Sequence, residues 1–299
     1  VTVLEAIQKS ADFLGKKNVE SARLNAELLL AHLLKMPRMK LYLNFERALS
    51  PKETDGYREF IKRRAAHEPL QHIVGSTSFC GCEILVNRHA LVPRPETELL
   101  AELGWKFLQG RADLLVSQDA QQRVPTTALD FGTGTGCIAI ALAVKCPNAK
   151  ISALDVSADA LALAKQNAEA NKVSERIEFI LVENGKSSFA SLSSVKNFDL
   201  IISNPPYIAS IEIETLQPEV KDFDPRAALD GGVDGLDFYR MLARDAKNFL
   251  KPDGKIMVEF GDGQADAIKK IFEGEKWIVE AVQEDYSHRA RILVASLNR

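Results

Sequence analysis

Thr127-Ala128-Leu129-Asp130-Phe131-Gly132-Thr133-Gly134-Thr135-Gly136-Cys137-Ile138-Ala139-Ile140-Ala141-Leu142-Ala143-Val144 decides the fold. A short apolar run, three alternating glycines and a helix-forming run read as strand, tight turn and helix, the context in which a glycine motif binds a nucleotide-like ligand. The glycines let the backbone turn sharply and approach a ligand closely. Their spacing is G-x-G-x-G over Gly132, Gly134 and Gly136, with Thr133 and Thr135 between them. A dinucleotide fingerprint would need glycine at 137, where Cys137 stands, and Asp130 would repel a pyrophosphate. A carboxylate there suits a ligand carrying an ammonium group, such as the methionine part of S-adenosylmethionine. The next apolar run, Lys150-Ile151-Ser152-Ala153-Leu154, ends in Asp155. An acidic residue at the end of the second strand, about twenty residues past the glycines, is placed to accept from ribose hydroxyls. The competing reading makes Asp155 the N-cap of a helix over Ser157 to Ala170, a role that Ser157 could fill instead.

Outward from this unit, strands and helices alternate to the end of the chain. Later strands are expected near residues 177–182, 199–203, 254–260, 277–283 and 290–296. Such alternation implies a parallel sheet with crossover helices. The last strand follows its predecessor after a short connection and is expected to run antiparallel. The predicted class is therefore α/β, with a Rossmann-like, mostly parallel sheet.

The strand Phe198-Asp199-Leu200-Ile201-Ile202-Ser203 is followed directly by Asn204-Pro205-Pro206-Tyr207. In open α/β sheets ligands bind at the carboxyl ends of strands. Two prolines fix φ and offer carbonyl acceptors without N–H donors. Asn204 adds a carboxamide and Tyr207 a flat face. Such a pocket suits a planar NH2 group, holding its hydrogens and leaving the nitrogen lone pair free. Read alone, the tetrapeptide is equally a rigid turn after a strand. Beside the glycine loop it suggests an in-line methyl transfer from a sulfonium donor to a planar nitrogen, driven by proximity and alignment. No metal is needed for that chemistry.

The 299 residues, 46% apolar and 26% charged, are ordinary for a globular protein with one large domain or two. A net charge of −3 and a pI near 6.0 give no bulk attraction for nucleic acid. The four cysteines include Cys80 and Cys82, which alternate along an expected strand with no second pair nearby, so a zinc site is not expected. No signal-peptide pattern or membrane-length apolar run is present, and a cytoplasmic, metal-free, monomeric protein is the expectation. Residues 1–74 read as a helical domain, with helices over Val3 to Leu14, from Ser21 to Leu34, and from Ser50-Pro51 to about Ala66. It carries no catalytic grouping and is expected to dock a partner. Residues 75–95 read as a β-hairpin linker and 96–299 as the catalytic domain. A helix is expected from Arg94-Pro95-Glu96-Thr97-Glu98 through Leu108, then a polar loop over 110–125.

The pairing of Asp-x-Gly-x-Gly-x-Gly with Asn-Pro-Pro-Tyr resembles class I S-adenosylmethionine methyltransferases that act on planar nitrogen, DNA adenine and some RNA enzymes among them. Leu91-Val92-Pro93-Arg94-Pro95-Glu96-Thr97-Glu98 and the segment from Phe223-Asp224-Pro225-Arg226 through Gly231-Gly232 to Arg240 narrow the resemblance to peptide chain release factor glutamine methyltransferases. The resemblance implies methylation of the side-chain amide of the glutamine in the Gly-Gly-Gln motif of class 1 release factors. It implies cofactor contacts from Asp130, Gly132 to Gly136, Asp155 and Asn204, with Asn204, Pro205, Pro206 and Tyr207 as the catalytic loop. The family often places Asp and an aromatic after the third strand, near the adenine. This chain has Glu183-Asn184-Gly185, which puts the adenine contact at Asn184. Two rivals stand beside this reading. A nucleic-acid adenine-N6 methyltransferase would flip a base into the same pocket. A non-enzymatic protein would hold the cofactor as a structural ligand only.

Overall fold

The computed structural model describes residues 1–114, 125–182 and 197–297. The chain divides into two units, Val1–Ser76 with Gln217–Phe223, and Thr77–Leu216 with Asp224–Arg299.

The first unit contains α1 (Val3–Lys16), α2 (Ala22–Leu33), α3 (Arg38–Tyr42), α4 (Pro51–Ala65), α5 (Leu70–Val74) and the late turn α9 (Pro218–Lys221). Two of these helices start at reciprocal capping boxes, Thr2 with Glu5 and Ser50 with Glu53, the second with Pro51 at the first helical position. Ser21 does not cap α2 as the sequence suggests. It sits in the left-handed region at φ +48 with no side-chain capping bond. The start of α2 is held instead by Asn25, whose Nδ2 donates to the Glu20 and Ser21 carbonyls. Asn25 Oδ1 accepts from Arg64 Nε at 2.8 Å, and Arg64 Nη2 donates to Glu219 Oε2 at 2.5 Å. That ion pair explains why a segment 155 positions downstream belongs with the N-terminal helices. Val3, Ile7, Leu14, Leu29, Leu30 and Leu41 form the centre of this unit's core.

In the second unit, β1 (Ser76–Phe79) and β2 (Cys82–Leu85) form a separate hairpin. Its turn is Cys80-Gly81, both with positive φ (+52 and +81), the backbone of a tight two-residue hairpin. Cys80 therefore stands in the turn, and does not alternate with Cys82 along one strand. Phe79, Cys82 and Ile84 are buried in this unit's core. The main sheet holds β3 (Thr127–Phe131), β4 (Lys150–Asp155), β5 (Ile177–Leu181), β6 (Phe198–Ser203), β7 (Leu250–Glu259), β8 (Trp277–Glu284) and β9 (Ala290–Leu297). Their order is β5-β4-β3-β6-β7-β9-β8. Neighbours from β5 to β7 are parallel, and β9 pairs antiparallel with both β7 and β8. The antiparallel last strand is as the short connection suggests. Its insertion between β7 and β8 is a non-local pairing that the local pattern does not contain. The helices of this unit are α6 (Pro95–Leu114), α7 (Cys137–Lys145), α8 (Ala158–Ala170), α10 (Asp237–Asp245) and α11 (Ala265–Gly274). Helix α6 runs beyond the expected end at Leu108 and takes in the start of the expected polar loop.

From β3 the chain winds to β4 and β5 on one side, then returns to β6 and β7 on the other. The crevice outside the carboxyl ends of β3 and β6 is thus the topological switch point, the usual ligand position in such sheets. Asp130 pairs in register with Ile202, so the glycine loop after β3 and Asn204 after β6 leave the sheet side by side. Strand β6 is buried along its whole length, as a central parallel strand covered on both faces must be.

Candidate active site

A cavity of about 210 Å³ opens at that switch point. Its walls come from Gly132 to Thr135, from Leu154 to Ser157, from Asn204 to Pro206, and from Arg94, Thr97 and Pro225.

The glycine loop is shaped by left-handed backbone that only glycine adopts freely. Gly132, Gly134 and Gly136 have φ of +73, +55 and +81. A Cβ on Gly132 would meet nothing within 4 Å, whereas one on Gly136 would come to 3.0 Å from the Ala164 Cβ. The first glycine thus leaves room beside the loop, and the third lets α7 approach α8. Asn167 on α8 fastens the hairpin to this loop. Its fully buried carboxamide accepts from Leu85 N at 2.7 Å and donates to the Leu85 and Thr135 carbonyls at 3.0 and 2.9 Å.

Asp155 ends β4 facing the cavity. One oxygen accepts from Gly134 N at 2.8 Å and the other from Ser157 N at 2.9 Å. Each carboxylate oxygen retains a second lone pair for a ligand hydroxyl. The N-cap of α8 is Ser157, whose Oγ accepts from Ala160 N at 3.1 Å, so the capping role does not consume Asp155.

Asp130 does not line the cavity. It is fully buried behind the loop, where one oxygen accepts from Thr133 Oγ1 at 2.6 Å and Ala139 N at 3.1 Å. These bonds brace the turn from strand to helix. The other oxygen, Oδ1, has no partner among the described residues. Burial pushes this carboxyl up to about 7, against the pull of the Thr133 and Ala139 hydrogen bonds. Asp155, a cavity-lining carboxylate with lone pairs to spare, suits a ligand that carries a pair of hydroxyls, such as a ribose.

Asn204 sits where β6 ends, and Ser203 Oγ ties that end to β3 by donating to the Phe131 carbonyl at 2.7 Å. Asn204 Nδ2 donates to Thr97 Oγ1 at 3.0 Å, which leaves Oδ1 as the acceptor available to a ligand. Pro205 and Pro206 line the cavity with it. Tyr207 departs from the expected pocket wall. Its ring is not part of the cavity lining and lies against Gly261, where an added Cβ would come to 3.0 Å from Cδ2. Its carbonyl accepts from Gln264 Nε2 at 2.9 Å. Burial raises the Tyr207 hydroxyl pKa, which keeps it protonated.

Two further stretches hold this loop. Ile208 N donates to the Leu229 carbonyl at 3.0 Å, and Gly231 N to the Ile208 carbonyl at 2.8 Å. A Cβ on Gly231 would lie 2.8 Å from the Pro206 carbonyl oxygen, so glycine there permits the close packing. Asp224 accepts from Arg94 Nη2 at 2.7 Å and from Val92 N at 3.5 Å, joining the Pro-Glu-Thr-Glu stretch to the segment after the catalytic loop. In the sequence these segments carry the family resemblance and no other signal of the site. Thr97 as a partner of Asn204 was not legible, since the two stand 107 positions apart. Asn184, with Glu183 and Gly185, lies outside the described residues. Among the described residues no His, Cys, Asp or Glu cluster is placed to hold a metal ion, and no helix is long and apolar enough to cross a membrane.

Comparison with known proteins places this geometry in a family. Residues 5–75 match the model described as PrmC N-terminal domain, and residues 106–218 that described as Methyltransferase small domain. A release factor glutamine methyltransferase of Geobacter sulfurreducens is 41% identical over 91% of this chain and 88% of that protein. One from Chlorobaculum tepidum is 39% identical over 96% of this chain and 94% of its own length. Among solved structures, the catalytic domain of human Mettl16 superposes with a TM-score of 0.53 at 18% identity, covering 73% of this chain and 77% of that one, a likeness of fold alone. With relatives this similar along nearly its whole length, the chain belongs to the release factor glutamine methyltransferase family.

Proposed function

We propose that this protein methylates the side-chain amide nitrogen of the glutamine in the Gly-Gly-Gln motif of class 1 release factors. The observation that carries the reading is the placement of Asn204 and the two prolines beside the glycine loop at one switch point. S-adenosylmethionine would supply an electrophilic sulfonium methyl: the S–CH3 bond breaks as the N–CH3 bond forms, neutral S-adenosylhomocysteine leaves, and one amide proton is released to solvent. Gly132 to Gly136 make room for its methionine part, Asp155 accepts from the ribose hydroxyls, and Asp130 braces the loop from behind through Thr133 and Ala139. The Asn204 side-chain oxygen and the Pro205 carbonyl accept the two hydrogens of the substrate amide and aim its nitrogen at the methyl. With a release factor as substrate the protein works in the cytoplasm, as a monomer, without nucleic acid. Incubation with labelled S-adenosylmethionine and either release factor or duplex DNA tests this. Label should enter the release factor only, and label in DNA would favour base methylation.

Asp155→Ala is expected to weaken cofactor binding by about 1–3 kcal/mol, the cost of leaving hydroxyls and the Gly134 and Ser157 N–H groups unmatched. Asp155→Asn, which keeps one acceptor but sets its NH2 against the Gly134 or Ser157 N–H, should also weaken binding. Calorimetry on the folded variants reads both, and unchanged affinity in Asp155→Ala would remove the role.

The N-terminal unit carries no cofactor motif, and α3 with its C-cap exposes Met39 (66%) and Leu43 (85%). On this reading those side chains touch the release factor. Met39→Ser with Leu43→Ser should raise the KM for release factor severalfold, by loss of apolar contact, and leave cofactor affinity alone. Unchanged KM would place docking elsewhere.

A further inference from the structure

Glu259 ends β7 next to the catalytic loop. Strands β6 and β7 are parallel and in register at Ser203 and Val258, which sets Glu259 level with Asn204. The side chain is buried, with 3% of the residue exposed, and its Oε2 has no hydrogen-bond partner among the described residues. Burial pushes the carboxyl up to about 7. Thr97 pulls it back down, Glu96 adds to the rise, and Arg291 and Asn204 also favour the charged form. Arg291 is already engaged with Asp285 at 3.1 Å. Thr97 and Asn204 are thus the uncharged groups that stand against this carboxylate.

A buried carboxylate oxygen without a partner is costly, and a neutral side chain would fill the same space more cheaply. Its chemistry suggests its use. In the ionised form that Thr97, Arg291 and Asn204 favour, the carboxylate only accepts hydrogen bonds, so it repels the oxygen end of a neighbouring carboxamide and attracts the NH2 end. Asn204 is found in the matching orientation, its Nδ2 donating to Thr97 Oγ1 at 3.0 Å. That acceptor duty leaves the Thr97 hydroxyl hydrogen free to point at the carboxylate. Asn204 N–H, Thr97 O–H and Glu259 then form one directed series that ends on the carboxylate.

We infer that Glu259 is a positioning residue, which acts with Thr97 to fix the Asn204 carboxamide with its nitrogen inward and its oxygen toward the substrate amide. The inference rests on the proposed glutamine methylation. A reversed carboxamide would set NH2 against NH2 and lose the acceptor that orients the nucleophile.

Glu259→Gln tests this, because it keeps shape but can donate to the Asn204 oxygen and so permits the reversed orientation. The unaltered protein is first measured for single-turnover methyl transfer to release factor. Glu259→Gln should then transfer roughly 10- to 100-fold more slowly, less than the roughly 10²- to 10³-fold cost of removing a preorganised group that touches the reacting atoms itself. Cofactor affinity, KM for release factor and thermal midpoint should not fall, and the midpoint should rise if the lost charge was unpaired. Thr97→Val should slow transfer similarly, and Thr97→Ser, which keeps the hydroxyl, should recover most of that loss. The double variant Glu259→Gln with Thr97→Val should be no slower than the slower single one, as expected for residues acting in one series. A wild-type single-turnover rate in Glu259→Gln, or a loss that tracks cofactor affinity or melting, overturns the inference while the functional reading stands. No transfer to release factor by the unaltered protein overturns the functional reading and this inference with it.

Discussion

Asn204→Ala is expected to lower the single-turnover rate of glutamine methylation by roughly 10²-fold or more, at about 1.4 kcal/mol of lost transition-state stabilisation per factor of ten. An amide nitrogen is a poor nucleophile because its lone pair is delocalised into the carbonyl. Hydrogen bonds from its N–H groups to Asn204 and to the Pro205 carbonyl would strengthen as positive charge develops on nitrogen. They therefore favour the transition state over the ground state and act on the chemical step. Cofactor affinity should change far less, since the glycine loop and Asp155 hold their own geometry through the Gly134, Ser157 and Leu154 backbone bonds. Asn204→Asp should also fail. It keeps an acceptor but loses the donation to Thr97, and it sets a second carboxyl near buried Glu259. Rapid-quench measurement with labelled cofactor reads the effect. A near-normal rate in Asn204→Ala would return the Pro-Pro loop to a purely structural role.

The largest expected effect on stability lies toward the other end of the same strand. Asp199 is fully buried and accepts from Arg111 Nε at 2.5 Å, Lys251 Nζ at 2.6 Å, Thr127 N at 2.8 Å and Thr127 Oγ1 at 3.1 Å. Burial alone would raise its pKa, but Lys251, the Thr127 backbone and Arg111 together outweigh burial and hold it below the usual carboxylate range. Asp199→Ala leaves two cations and a backbone donor unmatched, and should destabilise the fold by about 3 kcal/mol, the lower end for a broken buried pair because Arg111 and Lys251 are partly exposed. Asp199→Asn should cost less. The pH dependence follows from the direction of the shift. A folded-state pKa below the unfolded one adds stability that is full above the unfolded value and is lost as pH falls through the folded value. The wild-type advantage over Asp199→Asn should therefore shrink in acid. Urea unfolding at neutral and acid pH measures both effects, and an unchanged midpoint for Asp199→Ala would contradict the account.

Local pattern and long-range packing divide what could be read from the chain. The strand, glycine turn and helix around Gly132 to Gly136 are local, and they appear with bounds close to those expected. The place of Asp155 in the cavity wall was legible because its distance from the glycines is set by one crossover, and that of Asn204 because two prolines follow a largely apolar strand. The insertion of β9 between β7 and β8 was not legible, since the local pattern of each strand is the same whichever edge it joins. Ser21 misled because serine before a helix usually caps it, and here the tertiary partner Arg64 recruits Asn25 instead. Tyr207 misled because adjacency to Asn204 in sequence says nothing of which way a ring turns after two prolines. Thr97 and Glu259 come from distant segments. A signal for Glu259 exists in hindsight, an acidic residue closing the apolar run Ile256-Met257-Val258 at the carboxyl end of a central strand. Only the strand order makes that position a neighbour of Asn204.

The central claim is that two strand ends meeting at one crevice deliver a methyl group to a glutamine amide. Its most direct test is mass-spectrometric mapping of a class 1 release factor after reaction with the protein and isotopically labelled S-adenosylmethionine. The account predicts one labelled methyl per release factor, on the side-chain nitrogen of the Gly-Gly-Gln glutamine, appearing roughly 10²-fold more slowly when Asn204→Ala replaces the unaltered protein under single-turnover conditions. Label at any other residue, or equal labelling by Asn204→Ala, would contradict it.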